Sequence, residues 1–168
     1  QSATGTWVSE PTRSQNPRGI VYRDEIAATP MLEVDEEAMF PADPSGELPR
    51  GIEIPTGHSP GPEQIQSGFP RTPEGAIGQL AQIDIAVLQA MDTSKARKVY
   101  VSWALPGGIG ADRWYLTQGV AAFLTAASMG EALEADSWVE VEPAAALVKG
   151  TDGADWTTAC VLLKVTAT

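Results

Sequence analysis

Asp84 is the residue best placed to do chemistry in this sequence, because it is a carboxylic acid within a strongly apolar stretch. On a helical wheel for residues 73–91 it lies opposite a stripe of glycine and glutamine, in the middle of the apolar face. A buried carboxylate must find hydrogen-bond donors or take up a proton. Two interpretations remain open: a hydrogen-bonded structural node of the core, which the residues favour, or a catalytic or ligand-binding acid in a pocket.

A pocket centred on Asp84 would draw on the few other side chains with suitable chemistry. The donor to the carboxylate would be an arginine, the histidine or a tyrosine hydroxyl. His58 is the only histidine and lies in a loop rich in glycine and proline, where packing or surface exposure is its simpler role. The candidate pocket residues are Asp84, Tyr100, Trp103, Arg113 and His58.

The sequence contains no recognisable metal site, cofactor motif or catalytic set. A single histidine and a single cysteine, Cys160, exclude zinc sites with several histidine or thiolate ligands, and they exclude a disulfide within the chain. Residues 105–112 superficially resemble a phosphate-binding loop, but they lack its Lys-Ser/Thr ending and follow a predicted helix rather than a strand. We therefore expect no metal, no cofactor and, on balance, no enzymatic activity.

The formal net charge of −11 restricts the classes of partner. Nucleic acids and anionic lipids bind clustered Lys and Arg side chains, and the only basic cluster, at residues 95–98, is short. No segment reaches the ~20 apolar residues that a membrane-spanning helix needs. We therefore expect a protein partner, which is either another protein or a second copy of the chain, with no nucleic acid and no membrane insertion by this segment.

Proline is distributed very unevenly, and this divides the chain into an arm and a core. Eleven of the 13 prolines lie in the first 73 residues, where they prevent long helices and central strands. We predict that residues 1–72 form an ordered extended arm of turns and short strands, at residues 20–22, 31–34 and 51–54. The arm is expected to wrap residues 73–168, so that residues 1–168 form a single domain.

The remaining chain has the signals of three helices followed by a hairpin. Thr72 and Pro73 begin a helix over residues 73–91, a second helix starts at residues 92–94, and a third runs from about Asp112 to Gly130. Strands are predicted at residues 138–142, 146–148 and 157–166, with a turn at residues 150–153. The order predicts an α+β fold with helices on one face of an antiparallel sheet.

One stretch resembles a known group of proteins. Residues 68–76, Gly-Phe-Pro-Arg-Thr-Pro-Glu-Gly-Ala, together with Pro-Gly-Pro at residues 60–62, resemble a helix entry found in uncharacterised exported or membrane-anchored proteins of actinobacteria. The resemblance covers residues 60–90. Some of these proteins are carried on conjugative elements, and some are similar to the cystatin-like or NTF2-like cone fold. The resemblance implies an extracytoplasmic accessory protein and supplies no active site.

These observations lead to two hypotheses about function. The first is a non-enzymatic interaction protein of the cell envelope, within a transfer or secretion apparatus, because the chain has no catalytic set and resembles exported proteins. The chain begins at Gln1 rather than Met, which we interpret as the loss of an upstream piece: a signal peptide, a lipoprotein leader, a membrane anchor or merely a tag. We expect a protein that is secreted, or anchored through a segment that is absent here. The alternative hypothesis is a small-molecule binder or enzyme whose pocket is centred on Asp84.

Overall fold

The protein has an α+β fold, in agreement with the prediction. The computed structural model describes residues 17–31, 33 and 51–168. Within these residues lie four α-helices, two short 3₁₀ turns and two antiparallel strand pairs, β1 with β2 and β3 with β4. The elements are α1 (Ile20–Ala28), β1 (Ser59–Pro60), a 3₁₀ turn (Pro62–Gln64), β2 (Gln66–Ser67), α2 (Pro73–Ala90), α3 (Thr93–Trp103), a 3₁₀ turn (Ala111–Arg113), α4 (Tyr115–Ala126), β3 (Val139–Thr151) and β4 (Thr157–Ala167).

Local capping determines where α2 and α3 begin, as the sequence predicts. The Thr72 hydroxyl accepts a hydrogen bond of 3.1 Å from the Gly75 amide, and Pro73 occupies the first helical position of α2. Asp92 caps α3 in the same way, accepting a bond of 2.8 Å from the Lys95 amide. Between the two helices, Met91 adopts a left-handed conformation with φ 41°, which ends α2 and turns the chain into α3.

The predicted third helix is present as α4 but is shorter than expected. Residues 111–113 form a separate 3₁₀ turn, so the α-helix begins only at Tyr115. It ends at Ala126, because Ser128 takes a left-handed conformation with φ 58° and the Met129 amide donates to the Leu124 carbonyl at 2.8 Å. A left-handed serine carries no strong sequence signal, whereas the glycine at position 130 suggested a later end.

Strand β3 joins two segments that were predicted as separate strands. Val139 and Val141 are buried, and burial resumes at Ala146 and Val148, so the alternation along the strand changes phase across residues 142–145. Pro143 lies in this interval and has no amide to donate. A phase change of this kind is typical of a β-bulge, and it explains why the sequence pattern is broken while the strand continues.

The arm prediction is wrong about local structure at two places. Residues 20–22 do not form a strand but the first turn of α1, and residues 51–54 are not a strand. The predicted strand at residues 31–34 includes residues outside the described part of the chain. A three-residue apolar run does not separate helix from strand; here contacts between α1 and the β3–β4 turn, described below, accompany the helix.

The chain divides into two compact units. The described part of unit 1 comprises residues 17–31, 33, 51–56, 69–78 and 143–163, and unit 2 comprises residues 57–68, 79–142 and 164–168. In unit 1 a buried cluster of Ile77, Ala146 and Val148 is covered by partly buried apolar side chains, namely Ile52, Ile54, Ala159 and Val161. The expectation of one domain wrapped by residues 1–72 stays a prediction.

In unit 2, helix α3 packs against α4 and against both 3₁₀ turns. Val99 of α3 and Val120 of α4 are completely buried. The turn at Pro62–Gln64 is attached to α3 at two points: Lys95 forms an ion pair of 2.9 Å with Glu63, and the Trp103 indole donates to the Pro62 carbonyl at 3.2 Å. Helix α3 therefore holds the surrounding segments of this unit in place.

In unit 1, Asp152 attaches the start of α1 to the turn between β3 and β4. Its carboxylate accepts hydrogen bonds from the Arg18 amide at 2.5 Å, the Gly19 amide at 3.1 Å and the Arg23 guanidinium at 2.7 Å. Arg23 also lies over the Trp156 ring, 4.3 Å from its centroid. The Arg18 amide, ahead of the other donors, holds the pKa of Asp152 below its ordinary range.

We expect Asp152→Asn to lower the melting temperature clearly at neutral pH, because an amide cannot accept from all three donors and leaves the Arg23 charge uncompensated. Because the folded-state pKa is lowered, the stabilisation by Asp152 is present above the ordinary aspartate pKa and is lost on acidification. Thermal unfolding followed by circular dichroism at several pH values measures both effects. The matched control is Asp155→Asn, which removes an exposed ion pair with Arg71 and should change little.

An equal effect of the two substitutions, or a difference between wild type and Asp152→Asn that persists unchanged in acid, would contradict this role of Asp152.

Candidate functional site

Asp84 is buried in unit 2, where helix α2 presents its apolar face. Only 4% of the residue is exposed, and Ala81 and Val87 on the same helix are buried as well. Burial raises the pKa of Asp84 to about 7, and a hydrogen bond from the Tyr115 hydroxyl opposes this rise only in part. The carboxyl group therefore changes its charge near neutral pH while remaining in an apolar environment.

The donor to Asp84 is a tyrosine hydroxyl, one of the options that the sequence left open. Tyr115, the first residue of α4, donates to the Asp84 carboxyl over 3.5 Å, which is long for such a bond. Its side chain lies at the surface, since 59% of the residue is exposed. Sequence reasoning did not select Tyr115, because the contact depends on the packing of α4 beside α2 and leaves no local pattern.

The five candidate pocket residues lie at separate places in unit 2. Asp84 is buried, whereas His58 near β1 and Arg113 in the second 3₁₀ turn are exposed. Tyr100 and Trp103 both lie on α3 and are half-buried. Within the described residues no hydrogen bond, ion pair or ring contact joins any two of the five, so a pocket that unites them stays a prediction.

Three aromatic rings connect the surroundings of Asp84 to the end of α3. Tyr115 meets Trp114 edge to face, with 6.1 Å between the ring centroids. Trp114 in turn contacts Tyr100 with a centroid separation of 5.6 Å. Aromatic pairs at such distances are attractive beyond their buried area. The three side chains thus form a continuous row that starts beside the buried carboxyl group.

Tyr100 ends this row at the loop between α3 and the second 3₁₀ turn, residues 104–110, called the α3–α4 loop below. The Gly110 amide donates to the Tyr100 hydroxyl at 2.9 Å. Gly107 and Gly110 have φ values of 91° and 93°, a region that side chains disfavour. Gly108 lies so close to the Tyr100 hydroxyl that no Cβ fits between them. The glycines therefore let the loop fold back onto Tyr100.

The outer side of this loop is apolar. Leu105 is 71% exposed, Ile109 is 57% exposed, and Val101 in the last turns of α3 is 76% exposed. We refer to these three residues as the apolar loop surface. Val101 lies on α3, and Leu105 and Ile109 lie on the loop, so three exposed apolar residues fall within nine positions of the chain. Single exposed apolar residues are normal, whereas such a group is less common.

Two of the charged groups near the loop are paired with each other. Arg97 of α3 forms an ion pair of 2.6 Å with Asp112.

Across residues 17–31, 33 and 51–168, no group of three or more His, Cys, Asp or Glu side chains is arranged to hold a metal ion. In the same part of the chain, no helix has the length and apolar character required to cross a membrane.

No protein-family model matches the chain, and neither a curated protein nor a solved structure is significantly similar to it. The resemblance to exported actinobacterial proteins and the comparison with cystatin-like or NTF2-like folds therefore stay predictions.

Asp84→Asn should change how stability depends on pH. The pKa of Asp84 is about 7 in the folded protein, compared with an ordinary value of 3.8, so between these values the unfolded chain releases a proton that the folded protein keeps. The contribution of Asp84 to the free energy of unfolding therefore falls as pH rises from about 4 to about 7, by up to about 4 kcal/mol. Asparagine has no such titration.

Urea unfolding at a series of pH values measures this effect. The stability of Asp84→Asn relative to wild type should increase with pH up to about 7 and stay constant above it. The control is Glu140→Gln, which changes an exposed acid on β3. A constant difference between Asp84→Asn and wild type at all pH values would show that the carboxyl group is ionised in the folded protein like any surface aspartate.

Proposed function

We propose that this chain is a non-enzymatic interaction protein and that it binds a protein partner through the apolar loop surface. The observation that carries the proposal is the exposure of Val101 near the end of α3 and of Leu105 and Ile109 on the adjoining loop, whose backbone is held by the Tyr100 hydroxyl. A soluble domain gains nothing in folding from apolar side chains that remain in water. Their burial against a partner gives a favourable free energy instead.

The order of the loop supports binding rather than accidental exposure. Ordering a flexible loop on binding costs conformational entropy, and a loop that is already ordered avoids this cost. The Tyr100–Gly110 hydrogen bond and the contact of Gly108 with the Tyr100 hydroxyl provide this order. The loop also follows α3, which packs against α4 and both 3₁₀ turns and is a rigid support.

Charge indicates what kind of partner fits this surface. The net charge of −11 disfavours nucleic acid and anionic membranes as partners of the whole chain. Lys98 and Arg113, however, are exposed on the segments that flank the loop. A protein surface with an apolar pocket bordered by carboxylates would therefore complement the apolar loop surface. A second copy of this chain is the competing occupant, because its net charge of −11 also supplies carboxylates.

Extracytoplasmic placement and a role in a transfer or secretion apparatus belong to the same proposal. They rest on the resemblance of residues 60–90 to exported proteins of actinobacteria. The function at the loop does not depend on them, since apolar contact surfaces operate in any aqueous compartment.

A small-molecule site at Asp84 is the second candidate function. The specific observation in its favour is a buried carboxyl group whose pKa is raised to about 7 beside a tyrosine hydroxyl, a combination found at acid–base sites. The same features also suit a structural node. In this candidate, Asp84→Asn would abolish ligand binding while Leu105 and Ile109 substitutions would leave it unchanged.

We expect the double substitution Leu105→Ser/Ile109→Ser to abolish partner binding without lowering the melting temperature, because both side chains are exposed. The partner is first identified by photo-crosslinking from a residue analogue placed at position 105. It is then purified, and its affinity for wild type and variants is measured by calorimetry. The matched control is Val21→Ser on α1, whose side chain is 68% exposed in unit 1.

Support requires that the crosslinked protein bind wild type and Val21→Ser equally and lose at least about tenfold in affinity, or 1.4 kcal/mol, for the double variant. Crosslinking of the chain to itself, with a concentration-dependent dimer in light scattering, would assign the surface to a second copy. Equal binding by the double variant and wild type would refute the proposal.

A further inference from the structure

The row of aromatic rings connects the buried carboxyl group of Asp84 to the loop that carries the apolar loop surface, through a series of contacts. Asp84 accepts from Tyr115, Tyr115 contacts Trp114, Trp114 contacts Tyr100, and Tyr100 holds Gly110. Every link is a direct contact within unit 2. A change in the position of Tyr115 therefore acts on the neighbouring ring and, through it, on the group that shapes the loop.

The contact between Tyr115 and Asp84 is long for a hydrogen bond, and its strength depends on the charge of the carboxyl group. At 3.5 Å it is longer than a hydroxyl–carboxylate bond, which shortens to about 2.5–2.7 Å when the acceptor is ionised. A hydroxyl bond to a neutral oxygen acceptor is also shorter, about 2.7–2.8 Å, so the contact is long for either charge state. Ionisation of Asp84 would strengthen the attraction and draw the Tyr115 hydroxyl towards α2.

Among the described residues, no charged side chain contributes to the pKa shift of Asp84. On α4, the titratable side chain that faces Asp84 is Tyr115. Burial raises the pKa of Asp84, and the hydrogen bond from Tyr115 lowers it. The cations of the adjoining elements are engaged or exposed: Lys95 binds Glu63, Arg97 binds Asp112, and Lys98 and Arg113 face solvent. A change in the charge of Asp84 would therefore act first on the Tyr115 hydroxyl.

We propose that the α3–α4 loop responds to the charge state of Asp84, with one loop geometry when the carboxyl group is protonated and another when it is ionised. The surface that we assign to partner binding would then be regulated by pH. Its relevance to binding rests on the proposed function, whereas the response of the loop is a property of the free protein. Coupling between distant sites requires an element with two arrangements that both sites bias, and the two proposed loop geometries would be those arrangements.

The response is measured by nuclear magnetic resonance on the full chain without a partner. The carboxyl carbon of Asp84 and the amides of Gly107, Gly108 and Gly110 are followed while pH is raised from about 5 to about 9. The carboxyl carbon and the loop amides should shift together with a common midpoint at about 7. In Asp84→Asn the loop amides should no longer show this transition.

Tyr115→Phe tests the connection itself and keeps the carboxyl group. Because the hydroxyl lowers the pKa of Asp84, its removal should move the midpoint of the carboxyl titration upward, while the shifts of the loop amides become much smaller. His58→Gln is the control. Histidine is the residue type that ordinarily changes its charge near neutral pH, and the chain has a single histidine, His58. This substitution should leave the transition unchanged.

A carboxyl group that titrates while the loop amides remain still would overturn the coupling and leave the proposed binding surface intact. Loop shifts that persist in Asp84→Asn, or that disappear in His58→Gln, would overturn it as well. Loss of partner binding in Leu105→Ser/Ile109→Ser is independent of all these results, so failure of the regulation and failure of the proposed function are distinguishable.

Discussion

The hydroxyl group of Tyr100 accepts a hydrogen bond from the Gly110 amide, and the exposed end of unit 2 depends on this contact. The loop that it closes contains glycines at 107, 108 and 110, two of them in conformations that other residues disfavour. Such a segment has high conformational entropy unless something restrains it. With the restraint, Leu105 and Ile109 are displayed to solvent from a defined backbone. Without it, the same residues would lie on a flexible connection.

Two buried aspartates show how neighbouring groups, rather than burial alone, decide the charge of a carboxyl group. Asp152 in unit 1 accepts from two amides and a guanidinium, so its pKa is lowered although it is 1% exposed. Asp84 in unit 2 is 4% exposed and has the long bond from Tyr115, so burial dominates and its pKa rises. The first carboxylate is therefore a fixed structural anchor, and the second is a group that can change its charge.

Features that depend on near neighbours in the chain could be predicted from the sequence. The caps at Thr72 and Asp92, the start of α2 at Pro73 and the hairpin of β3 and β4 follow from residue types a few positions apart. Tertiary context determined what was missed. The run at residues 20–22 belongs to a helix whose start is attached to Asp152, more than a hundred residues away. In β3 a change in the phase of burial divides one strand into two apparent patterns.

The candidate site shows the same division. Asp84 could be recognised from its place in the apolar face of a single helix, and its burial follows. Tyr115 could not, because the contact joins α2 to the first residue of α4. The contact of Tyr100 with Gly110 was also beyond sequence reasoning, because it joins α3 to a residue ten positions further on. The sequence shows apolar residues within this glycine-rich connection, but it does not show that they are exposed, because exposure is a property of the folded chain.

Amide hydrogen exchange at Gly110, compared between the wild type and Tyr100→Phe, tests most directly whether the loop is ordered by the tyrosine hydroxyl. We predict that the Gly110 amide is protected in the wild type and exchanges at least about tenfold faster in Tyr100→Phe, while the amides of Val99 and Val120 in the core keep their rates. A Gly110 amide that exchanges in the wild type as fast as in an unstructured peptide, or that exchanges equally in both proteins, would contradict the account.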